Sequence, residues 1–328
     1  MSIKVLNQGL MTTIQDLGRY GSQKFGVIVG GAMDSYSLRL GNLLVGNIES
    51  EANLEITLYG TTLQFEEETL IAITGADFLP TINNIPAPLW SPIVVRKDSI
   101  LKFHTAINGS RAYVAIAGGI DIPEVMGSKS TYLRARIGGF KGRALQKGDV
   151  LPLTHSNKLE NETSKTSQKN NVNWSINYNE LISFNKHQVI RVIKGTEFER
   201  FNKESQHKLW TEVFTISLQS DRMGYRLEGQ SLSLSENFEL LSEGVTFGTI
   251  QIPPSGQPII LMADRQTTGG YPKIGQVISA DLPTLAQLQP TATIQFKEVT
   301  LEEAEHAFIQ NERKINLIKN AIKYKLYH

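Results

Sequence analysis

Cysteine is absent from this chain. That excludes disulfides, thiolate metal sites and cysteine nucleophiles, and it fits a reducing compartment. Long apolar runs are also missing: none approaches the roughly 20 residues of a membrane-spanning helix. The N-terminus, Met1-Ser2-Ile3-Lys4-Val5-Leu6-Asn7-Gln8-Gly9, has no apolar leader segment or cleavage site. The expectation is a cytoplasmic protein with no membrane contact. Neither sign of charge is in excess. There are 33 Lys and Arg against 32 Asp and Glu, a formal net charge of +1, which gives no electrostatic case for nucleic acid. The histidines at 104, 155, 187, 207, 306 and 328 are scattered and none pairs at ligand spacing, so no metal site is expected. Neither a G-x-S-x-G nucleophile elbow nor an H-E-x-x-H helix occurs.

What is present is an ordinary globular composition. Of 328 residues, 40% are hydrophobic and 20% charged, enough for a sizeable core in two or three domains. Most of the chain reads as short strands closed by turn residues. Leu70–Thr74 ends at Gly75, Ile93–Arg96 at Asp98, Ala112–Ala117 at Gly118-Gly119, and Val189–Ile193 at Gly195. One helix is predicted from Asp34 to Val45, capped by Asp34 or Ser35, with Leu38, Leu43 and Leu44 on its apolar face. A second helical signal, at Phe214–Leu218, is weak. Thr300 and Glu303 form a capping box ahead of a C-terminal amphipathic helix. Its stripe is Ala304, Phe308, Ile315, Ile318 and Ile322, and Lys314, Lys319, Lys323 and Lys325 load the end that favours positive charge. The span 155–180 opens with a polar run almost free of apolar residues and reads as a linker. The expected domains are therefore 1–154, the linker 155–180, 181–299, and a terminal helix over 300–328.

The two halves share a plan. Gly109-Ser110-Arg111 leads through an apolar strand to Gly118-Gly119, and Gly256-Gln257 leads through Pro258–Ala263 to Gly269-Gly270. The second copy inserts a polar loop between strand and glycine pair. The pattern suggests a duplicated β-domain, although strand followed by Gly-Gly is common in all-β proteins.

Four segments combine glycine with charge in ways that packing does not require. They are Thr12–Arg19, including Gln15, Asp16 and Arg19, followed later by Gly30-Gly31-Ala32-Met33-Asp34; Met126–Tyr132, including Ser128, Lys129 and Ser130; Ser220–Arg226, including Asp221, Arg222 and Tyr225; and Asp264–Gly275. The last holds Asp264, Arg265, Gln266, Thr267, Thr268, Gly269, Gly270, Tyr271 and Lys273, directly after an apolar strand. Glycines allow close backbone approach to a ligand, and adjacent N–H groups can bind anions. Arg222, Arg226 and Arg265 could clamp a carboxylate or phosphate as forks. Asp221 or Asp264 could act as acid, base or orienting partner of an Arg. Asp-Arg neighbours also pin turns as structural ion pairs, so both roles stand open. Gly127-Ser128-Lys129 looks like the end of a P-loop, but Ile122 occupies the upstream glycine position and Lys does not follow Gly127 directly, so that assignment is rejected.

Taken together, Thr13–Arg19, Gly31–Asp34 with Asn42–Asn47, Ser220–Leu227 and Asp264–Pro272 resemble one family. It is known as the 5-oxoprolinase C-type subunits, allophanate hydrolase subunit 2 or the biotin-dependent carboxyltransferase A/B-subdomain family. The resemblance covers about residue 3 to residue 300. Small departures are Gly41, where the family usually has alanine, and Lys129, where arginine is more usual. The resemblance implies a mainly β protein of two cyclophilin-like β-barrels with a few helices. It also implies a B-type partner, likewise built of such barrels, and a third subunit. The implied reaction is ATP-dependent opening of the lactam of 5-oxo-L-proline to L-glutamate, active in the complex. On that reading Asp264, Arg265, Lys273, Asp221 and Arg222 are the expected catalytic set. Gln266, Thr267, Thr268, Gly269, Gly270, Tyr271, Tyr225 and Arg226 are expected to hold the small-molecule substrate. Gln15, Asp16, Arg19, Asp34, Ser128, Lys129 and Ser130 are a second site or an interface. Two alternatives remain: a carboxyltransferase component of a biotin-dependent urea or amide carboxylase, and a non-enzymatic regulator that binds a histidine-kinase inhibitor.

Overall fold

A computed structural model describes residues 1–154, 174–236 and 240–327, with side chains to 325. Most of the polar run expected as a linker, 155–173, lies outside the described residues. The chain is mainly β, 31% strand and 19% helix. It divides into two compact units. The first comprises Met1–Arg19, Asp34–Phe184 and Arg313–His328; the second, Tyr20–Met33 and Asn185–Glu312. The segment Tyr20–Met33 thus clusters with the second unit, although it falls inside the span 1–154 read above as the first domain.

The first unit has two sheets. One runs, in spatial order, Val150–Pro152, Ser2–Asn7, Thr62–Phe65, Ile100–Lys102, Thr81–Ile82, Ile85–Pro86. The other runs Met11–Gln15, Asn53–Thr57, Arg111–Ile116, Thr69–Gly75, Pro92–Val95. Between them lies a core that includes Ile3, Val5, Leu63, Phe65, Ile71, Ile73 and Val114. The interior strand Thr69–Gly75 is buried along its whole length. Period-two geometry explains why its apolar run does not alternate. Ile71 and Ile73 face the inter-sheet core, while Leu70 and Ala72 pack on the other face with Tyr36, Leu40, Leu43 and Leu44 of the helix Ser35–Leu44. Asp34 caps that helix as expected: its carboxylate accepts from Ser37 N at 3.0 Å and from Ser37 Oγ at 2.6 Å.

The second unit is a closed seven-stranded barrel. Its order is His187–Lys194, Lys273–Val277, Thr249–Gln251, Ile259–Leu261, Gly224–Glu228, Val213–Ile216, Thr293–Glu298. Closure comes from the parallel pairing of His187–Lys194 with Thr293–Glu298; the other pairings are antiparallel. A closed barrel exposes no strand edge. Ile190, Val192, Phe214, Tyr225, Ile250, Ile260, Ile274 and Phe296 fill it.

Two helix assignments are corrected. Phe214–Leu218 is not helical, because Val213–Ile216 is a barrel strand. The helix at Lys203–Thr211, which the periodicity did not reveal, buries only Ser205, Gln206 and Leu209 and so has almost no apolar stripe to read. The C-terminal helix spans Leu301–Tyr327. Thr300 and Glu303 exchange the expected hydrogen bonds at 2.8 and 3.2 Å. In the first unit its Ile315 and Ile322 join the cluster around Leu40, and Lys314 and Lys319 pair with Glu180 and Glu49. Phe308 departs from the expected stripe, being 45% exposed.

Candidate functional site

The polar constellation of the first unit is a hydrogen-bonded network centred on Asp16. Asp16 follows the strand Met11–Gln15, and its carboxylate accepts from Gly18 N at 2.8 Å, Ser128 Oγ at 2.7 Å, Ser130 Oγ at 2.5 Å and Lys129 N at 2.6 Å. Ser130 Oγ also accepts from Asp16 N at 2.9 Å. Arg19 is fully buried and donates to the carbonyls of Val125 and Ser130 at 2.7 and 2.9 Å. The Gln15 amide is buried against Thr13 and Thr131. The Lys129 amine is held by Glu51 and by the Ile120 carbonyl at 2.8 and 3.0 Å. Asp34 belongs to a separate buried group, in which the Tyr113 hydroxyl donates to Glu55 at 2.7 Å and accepts from Asp34 N at 2.9 Å. Burial and the Glu55 carboxylate push the Tyr113 phenol well above its usual range. These residues tie loops to strands, and their hydrogen-bonding groups are largely taken.

In the second unit Arg222 and Asp264 meet across 42 positions of sequence. Arg222 Nε donates to Asp264 Oδ2 and Nη2 to Oδ1, each at 2.9 Å, with both side chains buried. The backbone repeats the contact, Asp264 N donating to the Arg222 carbonyl at 2.8 Å. Arg222 also donates to the Gly31 carbonyl at 2.6 Å. Neighbouring Gly30 adopts φ +65°, and a Cβ there would lie 3.6 Å from Asp264 Oδ1. The glycine pair at 30–31 therefore serves this loop, rather than the Asp16 constellation it follows in sequence. Both Asp264 oxygens are thus engaged by the Arg222 fork.

Asp221 is exposed. Its Oδ1 accepts from Met223 N and Gly224 N at 2.8 and 3.1 Å, so it shapes a turn. Tyr225 lies in the barrel core, with its hydroxyl 3.3 Å from the Ala286 carbonyl. Arg226 points to the opposite, solvent face of the same strand. The expected substrate roles of Tyr225 and Arg226 thus separate onto two faces, as strand alternation requires.

Arg265 is different. It is only 8% exposed, yet no carboxylate pairs with it among the described residues. Its Nε lies 3.4 Å from the Val245 carbonyl, and Nη1 lies 3.5 Å from the carbonyls of Met262 and Ala263. These contacts are longer than ordinary N–H···O bonds of roughly 2.7–3.2 Å. The Phe247 ring covers one face, 5.9 Å from the guanidinium carbon. Nη2 donates to no described residue and is not among the atoms sealed from solvent without a partner. Burial pulls the guanidinium below its ordinary proton affinity, with Tyr20 and Asp264 offsetting part of that. Because Asp264 is already paired with Arg222, the Arg265 guanidinium has no paired carboxylate among the described residues. Such a charge favours an anionic ligand.

Lys273, expected beside Arg265 as an anion holder, is instead spoken for. Its amine pairs with Glu243 and lies 3.7 Å from Glu197, whose carboxylate also accepts from Lys273 N at 2.9 Å. Glu243 belongs to a short ladder with Thr268-Gly269, and Val245 N donates to the Thr267 carbonyl at 3.1 Å. Gln266, Thr268, Gly270 and Tyr271 are exposed along the loop, with Thr267 half-buried and Gly269 packed on Gln251. Sequence reasoning missed Tyr20, Val245, Phe247, Glu197 and Glu243. Backbone carbonyls leave no sequence signal, and the two glutamates are 76 and 30 positions from the lysine they serve. Among the described residues no group of three His, Asp or Glu could hold a metal ion, and no helix is long and apolar enough to cross a membrane.

Comparison with known proteins adds the remaining context. A family model described as carboxyltransferase domain, subdomain A and B, matches residues 25–298. The chain is 40% identical to the C-type subunit of 5-oxoprolinase from Haemophilus influenzae, over 98% of this chain and 99% of that protein. It is likewise 40% identical to the C-type subunit of 5-oxoprolinase from Escherichia coli, over 92% of this chain and 93% of that one. Among solved structures, the urea amidolyase of K. lactis superposes with a TM-score of 0.88 at 30% identity, covering 97% of this chain but only 20% of the larger protein.

Proposed function

The chain belongs to the carboxyltransferase subdomain A and B family, and from that premise we propose that it is the C-type subunit of an ATP-dependent 5-oxoprolinase complex. The complex opens the lactam of 5-oxo-L-proline to L-glutamate in the cytoplasm, together with a B-type subunit of cyclophilin-like barrels and a third subunit. The observation that carries this reading is the end-to-end likeness to proteins named as the C-type subunit of 5-oxoprolinase.

Within that reading, Arg265 holds the carboxylate of 5-oxoproline. The substrate is a small anion, and Arg265 is a buried cation with one nitrogen uncommitted. A resonance-stabilised lactam resists water at neutral pH; ATP supplies the activation, by phosphorylating the amide oxygen. Arg222 and Asp264 orient the loop, while the exposed Thr268 and Tyr271 border the substrate. The Gly127–Thr131 loop has its serines on Asp16 and its lysine on Glu51. It is therefore a poor nucleotide cradle, and ATP is assigned to the complex rather than to this loop.

The test is reconstitution with the B-type and third subunits, ATP and 5-oxoproline, with glutamate as the readout. The wild-type complex is expected to form glutamate and the Arg265→Ala complex to lose it by about 100-fold or more, with the fold intact by circular dichroism. Absence of glutamate from the wild-type mixture would reject the reading. A second reading, carboxyl transfer from a biotin carried on another chain, is favoured by the likeness to urea amidolyase. It predicts incorporation of labelled bicarbonate in a biotin-dependent assay and no glutamate.

A further inference from the structure

The turn that carries Phe247, whose ring covers Arg265, is held by an amide on the strand Lys273–Val277. Gln276 lies on Lys273–Val277, opposite Thr249 in the ladder. Its Oε1 accepts from Thr246 Oγ1 at 2.9 Å and from Thr249 Oγ1 at 2.8 Å. Its Nε2 donates to the Phe247 carbonyl at 2.7 Å and to the Val277 carbonyl at 3.1 Å. A glutamine amide has two donor hydrogens and two acceptor lone pairs, so all four positions are filled. The turn closes around this amide. Thr249 N donates to the Thr246 carbonyl at 3.2 Å, Thr246 N to Thr249 Oγ1 at 3.1 Å, and Gly248 N to the Leu261 carbonyl at 2.7 Å. Gly248 adopts φ +87°, and a Cβ there would come within 2.9 Å of Gln276 Nε2. The approach of the amide therefore requires glycine at that position. Two of the groups that face the guanidinium belong to this stretch, the Val245 carbonyl just before the turn and the Phe247 ring within it.

We propose that Gln276 is a positioning residue for the Arg265 site: its saturated amide fixes the turn 246–249, and so sets where the Arg265 guanidinium can receive the substrate's carboxylate. The inference rests on the reading that Arg265 binds that carboxylate. Gln276 touches no substrate itself. Its side chain determines whether the carbonyl and ring that frame Arg265 are in place before the ligand arrives.

Two variants separate this from a general loss of stability. Gln276→Ala removes all four hydrogen bonds. Gln276→Glu keeps the acceptor for both threonines but turns a carboxylate oxygen toward the Phe247 and Val277 carbonyls. In the reconstituted complex both are expected to raise KM for 5-oxoproline about tenfold while kcat stays within about threefold. In the full-length chain labelled with 15N-arginine, the Arg265 Nε–H signal, assigned by its loss in Arg265→Lys, is expected to move in both variants. An unchanged KM with an unmoved signal overturns the proposal, as does a fall in kcat that tracks the loss of folded protein. The parent reading fails separately: if Arg265→Ala leaves KM unchanged, the carboxylate is not held there and this inference falls with it. If Arg265→Ala raises KM and neither Gln276 variant does, only the positioning role is lost. Should the complex form no glutamate, an unmoved Arg265 signal still overturns the coupling.

Discussion

The Asp16 loop of the first unit and the Arg265 loop of the second are written in the same alphabet of glycine, Asp, Arg, Lys and hydroxyls. Around Asp16 one carboxylate satisfies four donors at 2.5–2.8 Å. Around Arg265 one guanidinium reaches three carbonyls only at 3.4–3.5 Å. The Asp16 carboxylate is saturated without a ligand. The second arrangement has a buried cation with no paired carboxylate among the described residues. Saturation of polar groups, rather than their identity, distinguishes a structural knot from a site.

The sharpest test of that contrast is Asp16→Ala. It leaves buried donors from Ser128, Lys129 and Ser130 without their acceptor, and is expected to destabilise the chain by roughly 3 kcal/mol or more. Chemical denaturation measures it, and a stability near wild type would remove the structural reading of the knot. Arg265→Met should behave in the opposite way. Activity of the complex disappears, whereas stability holds or rises by up to about 1 kcal/mol, because an underpartnered buried charge has been replaced by an apolar side chain. A large loss in thermal midpoint for that variant would make Arg265 structural too. Lys273 tests the boundary between the two regions. Lys273→Met strands Glu197 and Glu243 and is expected to cost about 2 kcal/mol, part of which the double change with Glu197→Gln recovers. Full stability with lost activity would instead return Lys273 to the site.

The smallest effect concerns an ion pair of the first unit. The Arg143 guanidinium, at 2.7 and 2.8 Å, holds the Asp149 carboxyl below the usual carboxylate range. A folded-state pKa below the unfolded value of about 3.9 contributes stability above that pH, lost as pH falls through the lower, folded value. Asp149→Asn should therefore flatten the decline in thermal midpoint between about pH 5 and pH 2. An unchanged acid limb would show that the pair contributes nothing to folding.

Much of the fold was legible because it rests on short-range patterns. The apolar runs at Leu70–Thr74 and Ala112–Ala117 became the strands Thr69–Gly75 and Arg111–Ile116, and the caps at Asp34 and Thr300 formed as read. The helix at Lys203–Thr211 was not legible. Its start depends on Asn202, whose side chain accepts from Ser205 N at 2.8 Å, and its few buried residues give no stripe. The loop Asp264–Gly275 stood out because its residues are too polar for a core. Which of them stay open to a ligand did not stand out, since Tyr225, Asp221 and Lys273 carry the same chemistry into core, turn and ion pair.

By itself the sequence determined strands such as Thr69–Gly75 and Arg111–Ile116, the two capped helices it announced, the absence of thiol chemistry and the polar loop that follows Ile259–Leu261. These follow from periodicity and composition, which act over a few neighbouring residues. Only the tertiary structure decided that Asp264 is bound by Arg222, that Lys273 is bound by Glu197 and Glu243, and that Arg265 has no paired carboxylate among the described residues. Charges find their partners through space, and no spacing along the chain records which partner arrives first.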